Sequence, residues 1–210
     1  LRTLSQSEQT EKQVESLIRR IPFFNQVYEN GADQFHTMLN IAQIVEAEPE
    51  ELIIRKGDED HSFYFLLKGQ LDVLLDIDSD DAVNQILPGE VFGVLSMVAQ
   101  SERSAFIRVS GNKPALLFRM NSDALIEPTG QTRLSLPSRL MFYRMALHNI
   151  RWTLEKNKMA QPDHPLVEDI RRLPFSNPPK DTEEELISLK TQTMLLAEIL
   201  LRWNQSSDDT

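Results

Sequence analysis

Apolar positions recur along this chain with two different periods, and the change between them divides it. Within residues 7–20, Val14, Leu17, Ile18 and Ile21 fall on one side at helical spacing, which predicts an amphipathic helix ended by Pro22. Phe23-Phe24, then Phe35, Met38, Leu39 and Ala42, predict a second helical patch that starts near the turn-forming Asn30-Gly31. From Ile44 onward the period shortens. Val45, Leu52-Ile53-Ile54 and the apolar run from Phe63 to Leu67 read as short strands, separated by the turn cluster Lys56-Gly57-Asp58-Glu59-Asp60. After Lys68-Gly69, Leu71, Val73, Leu75 and Ile77 alternate with Asp72 and Asp76, the clearest period-two stretch in the chain. Residues 105–109 and 115–120 supply two last strands across the turn Gly111-Asn112-Lys113-Pro114. Several short strands at this interval predict an antiparallel sandwich or barrel.

The helical period then returns. Ser135-Leu136-Pro137-Ser138 combines a hydroxyl cap with a proline in the first turn. From it Leu136, Leu140, Tyr143, Leu147, Ile150 and Leu154 recur at alternating four and three residues, the seam that two helices lying side by side require. The seam predicts a parallel homodimer; a stripe buried along the chain's own barrel is the alternative. Pro162, Pro165, Pro174, Pro178 and Pro179 interrupt the chain beyond this helix. Asp181-Thr182-Glu183-Glu184 predicts a capping box for a last helix, whose Leu186, Leu189, Thr193, Leu196, Leu200 and Trp203 again fall near heptad spacing. Residues 206–210 are expected to fray. The expected divisions are 1–134, a β-barrel domain with N-terminal helices, 135–159, a dimerisation helix, and 160–210, a linker and helical tail.

Composition narrows the classes. The 210 residues allow one ordinary domain plus an appendage. A formal charge of -10 opposes a sequence-independent grip on nucleic acid, which depends on lysine and arginine neutralising phosphates. There is no cysteine, so disulfides, thiolate zinc sites and cysteine-held iron-sulfur clusters are excluded. No apolar run approaches the length of a membrane span, and the N-terminus has no signal-peptide core, so a soluble cytoplasmic protein is the expectation.

Candidate chemistry concentrates in residues 88–105, Pro-Gly-Glu-Val-Phe-Gly-Val-Leu-Ser-Met-Val-Ala-Gln-Ser-Glu-Arg-Ser-Ala. This reads as a glycine-bearing turn, a very short helix, a polar loop carrying Arg103, and a strand. Unpaired amides of a helix start, together with an arginine aimed at the same spot, can hold an anion. In order and spacing the stretch resembles the phosphate-binding cassette of cyclic nucleotide-binding domains, as in the catabolite activator protein family, cyclic AMP-dependent kinase regulatory subunits and gated channels. Phe92-Gly93 stands at the family's Phe-Gly, Leu95-Ser96 at its Leu-Ala, and Arg103-Ser104-Ala105 at its arginine and two small residues. Phe63 to Leu71, with Gly69, resembles the hairpin that precedes the cassette.

The resemblance covers residues 21–158. It implies an α+β fold: a jelly-roll β-barrel flanked by helices, with a long C-terminal dimer helix and a small helical tail. It also implies a ligand site of Phe92, Gly93, Val94, Leu95, Ser96, Arg103, Ser104 and Ala105, with cyclic AMP or cyclic GMP as ligand, and a long helix that both lids the pocket and pairs with its twin. Two positions depart from the pattern. Val94 replaces the glutamate that accepts a hydrogen bond from the ribose, which valine cannot do, and Glu102 replaces the proline before the arginine, setting a negative charge beside it.

Other chemistry fails on spacing. Asp76, Asp78, Asp80 and Asp81 lack the glycine and glutamate of a calcium-binding EF-hand loop, and read as a solvated hairpin tip. His36, His61, His148 and His164 form no pair at ligand spacing, so neither haem nor another metal is expected. No Gly-x-Ser-x-Gly, Walker or His-Glu-x-x-His motif is present, so no enzyme is expected. Asp58-Glu59-Asp60 reads as a solvated turn. Arg103 outside this context would be a solvated or Glu102-paired arginine, and Gly93 and Ser96 parts of a tight, capped turn. Three functions are compatible with these readings: a cyclic nucleotide sensor signalling through a dimer helix, a ligand-free dimeric scaffold with a protein partner on its last helix, or a transcriptional regulator of the catabolite activator family. From residue 160 onward ten acidic residues stand against five basic ones, which disfavours the third.

Overall fold

The computed structural model describes residues 1–4, 12–78, 81–121, 134–174 and 176–208. The first five residues of the predicted N-terminal helix, 7–11, Asp80 of the acidic tip and residues 209–210 of the tail lie outside the described residues. Two compact units emerge, Leu1–Leu134 and Ser135–Thr210.

In the first unit, α1 (Lys12–Arg19) buries Val14 and Ile18. Pro22 then serves as both stop and start: it occupies the first turn of α2 (Pro22–Asn30), where the missing N–H has no helical partner to lose. The second predicted patch is therefore two helices, α2 and α3 (Ala32–Ile41), parted at Gly31.

The strands are β1 (Arg2–Thr3), β2 (Gln43–Ala47), β3 (Leu52–Ile54), β4 (Ser62–Lys68), β5 (Leu71–Leu74), β6 (Asn84–Ile86), β7 (Val91–Phe92), β8 (Phe106–Val109) and β9 (Ala115–Asn121). They form two antiparallel sheets, ordered β1-β2-β9-β4-β7 and β3-β8-β5-β6. The jelly-roll reading thus holds as two packed sheets; no hydrogen-bonded closure joins them into one barrel among the described residues. Between the sheets lies a hydrocarbon core that includes Val45, Leu66, Leu71, Ile86, Ile107 and Leu117.

β4 is buried from Ser62 to Leu67 because both of its faces are covered. Tyr64 and Leu66 enter the core between the sheets. Phe63 and Phe65 point the other way, where Phe65 stacks on Phe23 at 5.7 Å and meets Phe24 edge-on at 4.7 Å. This explains why the run reads as continuously apolar instead of alternating.

The alternation from Leu71 to Ile77 overstates β5. The strand ends at Leu74, and Leu75 and Ile77 are 44% and 37% exposed. β6, unrecognised in the sequence, supplies the hairpin partner through Leu71↔Ile86 and Val73↔Asn84. Gly69 makes the preceding turn at φ +97°, where a Cβ would stand 2.9 Å from the Ala115 backbone.

The second unit holds α5 (Leu136–Ala160), α6 (Leu166–Arg171) and α7 (Glu183–Asp208). Ser135 caps α5 by accepting from the Ser138 amide. α5 and α7 run parallel. Near their starts Arg139 meets Glu183 at 2.9 Å, and Arg144 meets Asp181 and Glu185 at 2.9 and 2.7 Å. Near their ends His164 stacks on Trp203 at 4.0 Å. Leu140, Tyr143, Leu147, Ile150 and Leu154 are buried, as are Leu186, Leu189, Thr193, Leu196, Leu200 and Trp203; Leu136 is half-buried. The parallel partner that the α5 seam demands is thus supplied inside the chain, by its own last helix.

Candidate functional site

After β7 the chain turns at Gly93 (φ +77°) into α4 (Val94–Ala99), which ends at Gln100 in the left-handed conformation with its amide donating to the Ser96 carbonyl. The polar loop after α4 is laid against the turn before β4 by a reciprocal backbone pair. The Arg103 amide donates to the Asp58 carbonyl at 2.9 Å, and the Gly57 amide donates to the Arg103 carbonyl at 2.9 Å. That pair aims the Arg103 side chain inward.

Arg103 is 3% exposed and its guanidinium is engaged on two sides. Nη1 donates to the Gly93 carbonyl at 3.0 Å and to Ser96 Oγ at 2.9 Å. Nη2 donates to Asp60 Oδ2 at 3.2 Å and, at very short range, to the Ser62 carbonyl. Nε is buried without a partner. Gly93 is needed because this guanidinium passes so close: a Cβ there would stand 2.8 Å from Nη1 and 3.0 Å from the Ser62 carbonyl.

Asp60 is the second centre of the cluster. Oδ1 accepts from the Ser62 amide at 3.1 Å, from Ser62 Oγ at 2.8 Å and from Arg119 Nη2 at 3.4 Å, while Oδ2 also accepts from Tyr64 Oη at 3.1 Å. Arg119 reaches this place from β9, where it lies opposite Tyr64, and also donates to Ser62 Oγ at 3.1 Å. Burial pushes the Asp60 carboxyl upward, but the two Ser62 hydrogen bonds and the charges of Arg103 and Arg119 outweigh it and hold the group at about 2. Burial, reinforced by Asp60 and opposed by Arg119 and Arg103, pushes the Tyr64 phenol up to about 12. Two guanidiniums face one carboxylate, so the cluster carries one positive charge in excess.

Of the predicted site residues, the structure brings Gly93, Ser96 and Arg103 into direct contact. Phe92 is buried and stacks on Tyr64 at 5.1 Å, as part of the core between the sheets. Val94 is 1% exposed; Leu95, Ser104 and Ala105 are half-buried, and the guanidinium donates its hydrogen bonds elsewhere. Glu102 is exposed and does not pair with Arg103.

The reading of Asp58-Glu59-Asp60 as a solvated turn is corrected at its last residue, because Asp60 is the acceptor on which both arginines converge. Sequence reasoning also missed Ser62, Tyr64 and Arg119. A buried arginine demands a counterion, so the acidic turn could have been suspected, but Arg119 emerges only from the β4–β9 register.

Residues 44–127 match the family described as the cyclic nucleotide-binding domain. The segment that carries the cassette is thus similar to cyclic nucleotide-binding domains. Its fold is also that of solved cyclic nucleotide-binding domains. One, from Methylobacillus flagellatus KT, is 14% identical, with 75% of this chain and 94% of that one covered and a TM-score of 0.56. Another, a PKAR CBD2 bound to Sp-2Cl-cAMPS, is 15% identical over 72% of this chain and 94% of that one, with a TM-score of 0.51. The regulatory domain of Toxoplasma gondii PKA with cAMP is 21% identical and has a TM-score of 0.44; 57% of this chain matches it, spanning 44% of its length. No curated protein matches this chain. No helix among the described residues is long and apolar enough to cross a membrane.

Proposed function

We propose that the first unit is a non-enzymatic regulatory module whose cassette takes a small anion, a cyclic nucleotide, with the long helix of the second unit as its output. One observation carries this reading. Within a segment similar to cyclic nucleotide-binding domains, the cassette arginine is buried at the cassette itself, in a cluster with one excess positive charge. Both Nη atoms already have protein acceptors, so a phosphate enters by exchange: it takes the place of the Asp60 carboxylate on Arg103, and Arg119 keeps Asp60 neutralised. Isothermal titration with cyclic AMP and cyclic GMP to millimolar concentration tests this. Heat with either supports it, and no heat with both overturns it.

A second reading is a ligand-free domain that acts as a protein-interaction scaffold. The favouring observation is the engagement of both Arg103 Nη atoms by internal acceptors, together with hydrocarbon at Val94, where the family's ribose acceptor stands. The same titration separates the two. A transcriptional regulator is a third and weaker reading, since the described residues of the second unit contain three helices and no strand from which a winged helix-turn-helix could be built. Tight binding of duplex DNA in a gel shift at low salt would restore it.

A further inference from the structure

We infer that the second unit docks onto a second copy of this chain head to tail, through the outer face of α5 on one copy and an outer face of α7 on the other. The seam between these helices is filled within the chain, and pairing two copies through it would require parting them. Two other stripes remain at the surface.

On α5, Trp152 and Met159 are 54% and 67% exposed, with half-buried Met145 one heptad earlier. Trp152 stands two residues from both Ile150 and Leu154, so it leaves the helix on the side opposite the seam. On α7, Ile187 and Met194 are 63% and 50% exposed, with half-buried Leu201 one heptad later. These four are the only exposed large hydrophobics that lie on helices among the described residues, and each pair repeats at seven. A seven-residue repeat keeps side chains in one line along a helix, which is what a second helix needs.

Charge selects the partner. Beside the α5 stripe, Arg151 and Lys156 form no ion pair among the described residues, whereas Glu155 is taken by Lys158 and Arg144 by Asp181 and Glu185. Beside the α7 stripe, Glu184 and Glu198 are likewise unpaired, while Arg202 is held by Asp169 and Lys190 lies over the Tyr143 ring. Packing α5 on α5 would oppose like cations, and α7 on α7 like anions. Packing α5 on α7 of another copy in parallel, with Trp152 level with Met194, sets Arg151 one residue before the seam and Glu198 four after it. That relation places opposite charges across a two-stranded coil. Because the two faces differ, the contact is heterologous and repeats from copy to copy.

Sedimentation velocity on the full chain tests the assignment. The seam is short and short interfaces bind weakly, so concentrations up to about 100 µM are required. The mass is expected to rise to at least twice that of one chain. Trp152→Glu and Met194→Glu are each expected to stay single. Mixed one to one they form a closed pair, since each supplies the stripe the other lacks. Arg151→Glu weakens association about tenfold, and adding Glu198→Arg in the same chain restores it. This charge swap uses exposed side chains, so it decides the matter even if the glutamate variants fold poorly. A parent chain that stays single at the highest concentration overturns the inference, as does a mixture that stays single, or a charge swap without rescue.

Discussion

Arg103 shows how one residue type can be foreseen and its surroundings missed. A guanidinium carried inward by a loop must find acceptors, because an unpaired buried charge costs several kcal/mol; here the acceptors are Asp60, Ser96 and the carbonyls of Gly93 and Ser62. Arg103→Ala removes these bonds all at once and is expected to destabilise the first unit by about 3 kcal/mol in chemical denaturation. Glu102→Ala, at an exposed position, is expected to change stability by less than about 0.5 kcal/mol. Asp60 adds an acid signature. Its carboxyl sits at about 2 in the folded chain against an ordinary 3.8, so its contribution is present in full above the ordinary value and is lost as pH falls toward 2. The difference in melting temperature between the parent and Asp60→Asn is expected to be constant above about pH 4 and to close below it. The cassette residues were legible because their order is local. Asp60 and Arg119 were not, since they lie 43 residues before and 16 residues after Arg103, and both arginines reach the one carboxylate only in the folded chain.

At the scale of elements, the periods in the sequence predicted type better than extent. Pro22 marks a boundary in both readings, and packing holds the helix it opens in place, with Phe24 set against Phe65 and Phe118 at 4.7 and 4.5 Å. β5 is shorter than its alternation because Leu75 and Ile77 have no partner strand to cover them. The start of α7 keeps the kind of cap its sequence signals but sets it one residue later, on Thr182 and Glu185 in place of Asp181 and Glu184. Thr182 Oγ1 accepts from the Glu185 amide at 3.2 Å, and the Glu185 carboxylate accepts from the Asp181 amide at 2.6 Å, a reciprocal cap one residue wider than the usual box. Thr182→Ala is expected to lower the stability of the second unit by about 1 kcal/mol, read from the thermal transition followed at the helical circular dichroism band. Both heptad stripes were visible in the sequence as well. What they pair with was not, because a seam states that a partner helix is needed without stating whose it is.

For the whole molecule, the proposed exchange of a phosphate for Asp60 on Arg103 has a thermodynamic consequence. A ligand that binds only the folded state raises the melting temperature with its concentration. Cyclic nucleotide at 100 times its dissociation constant should stabilise the parent by about 2.7 kcal/mol. Arg103→Ala, measured against its own baseline, should show no such rise in differential scanning fluorimetry. A scaffold without a ligand would show no rise in either chain. The linear order of residues determined the helical and β periods, the cassette, the heptad stripes and the acidic balance of the tail, because each depends on neighbours within a few turns of backbone. The folded chain alone decided three further things: that two sheets and not one closed barrel enclose the core, that two arginines share one carboxylate, and that the α5 seam is met by α7. Each of these is a contact between residues far apart in the chain, and such contacts are set by strand register and by competition among buried faces, which no local pattern encodes.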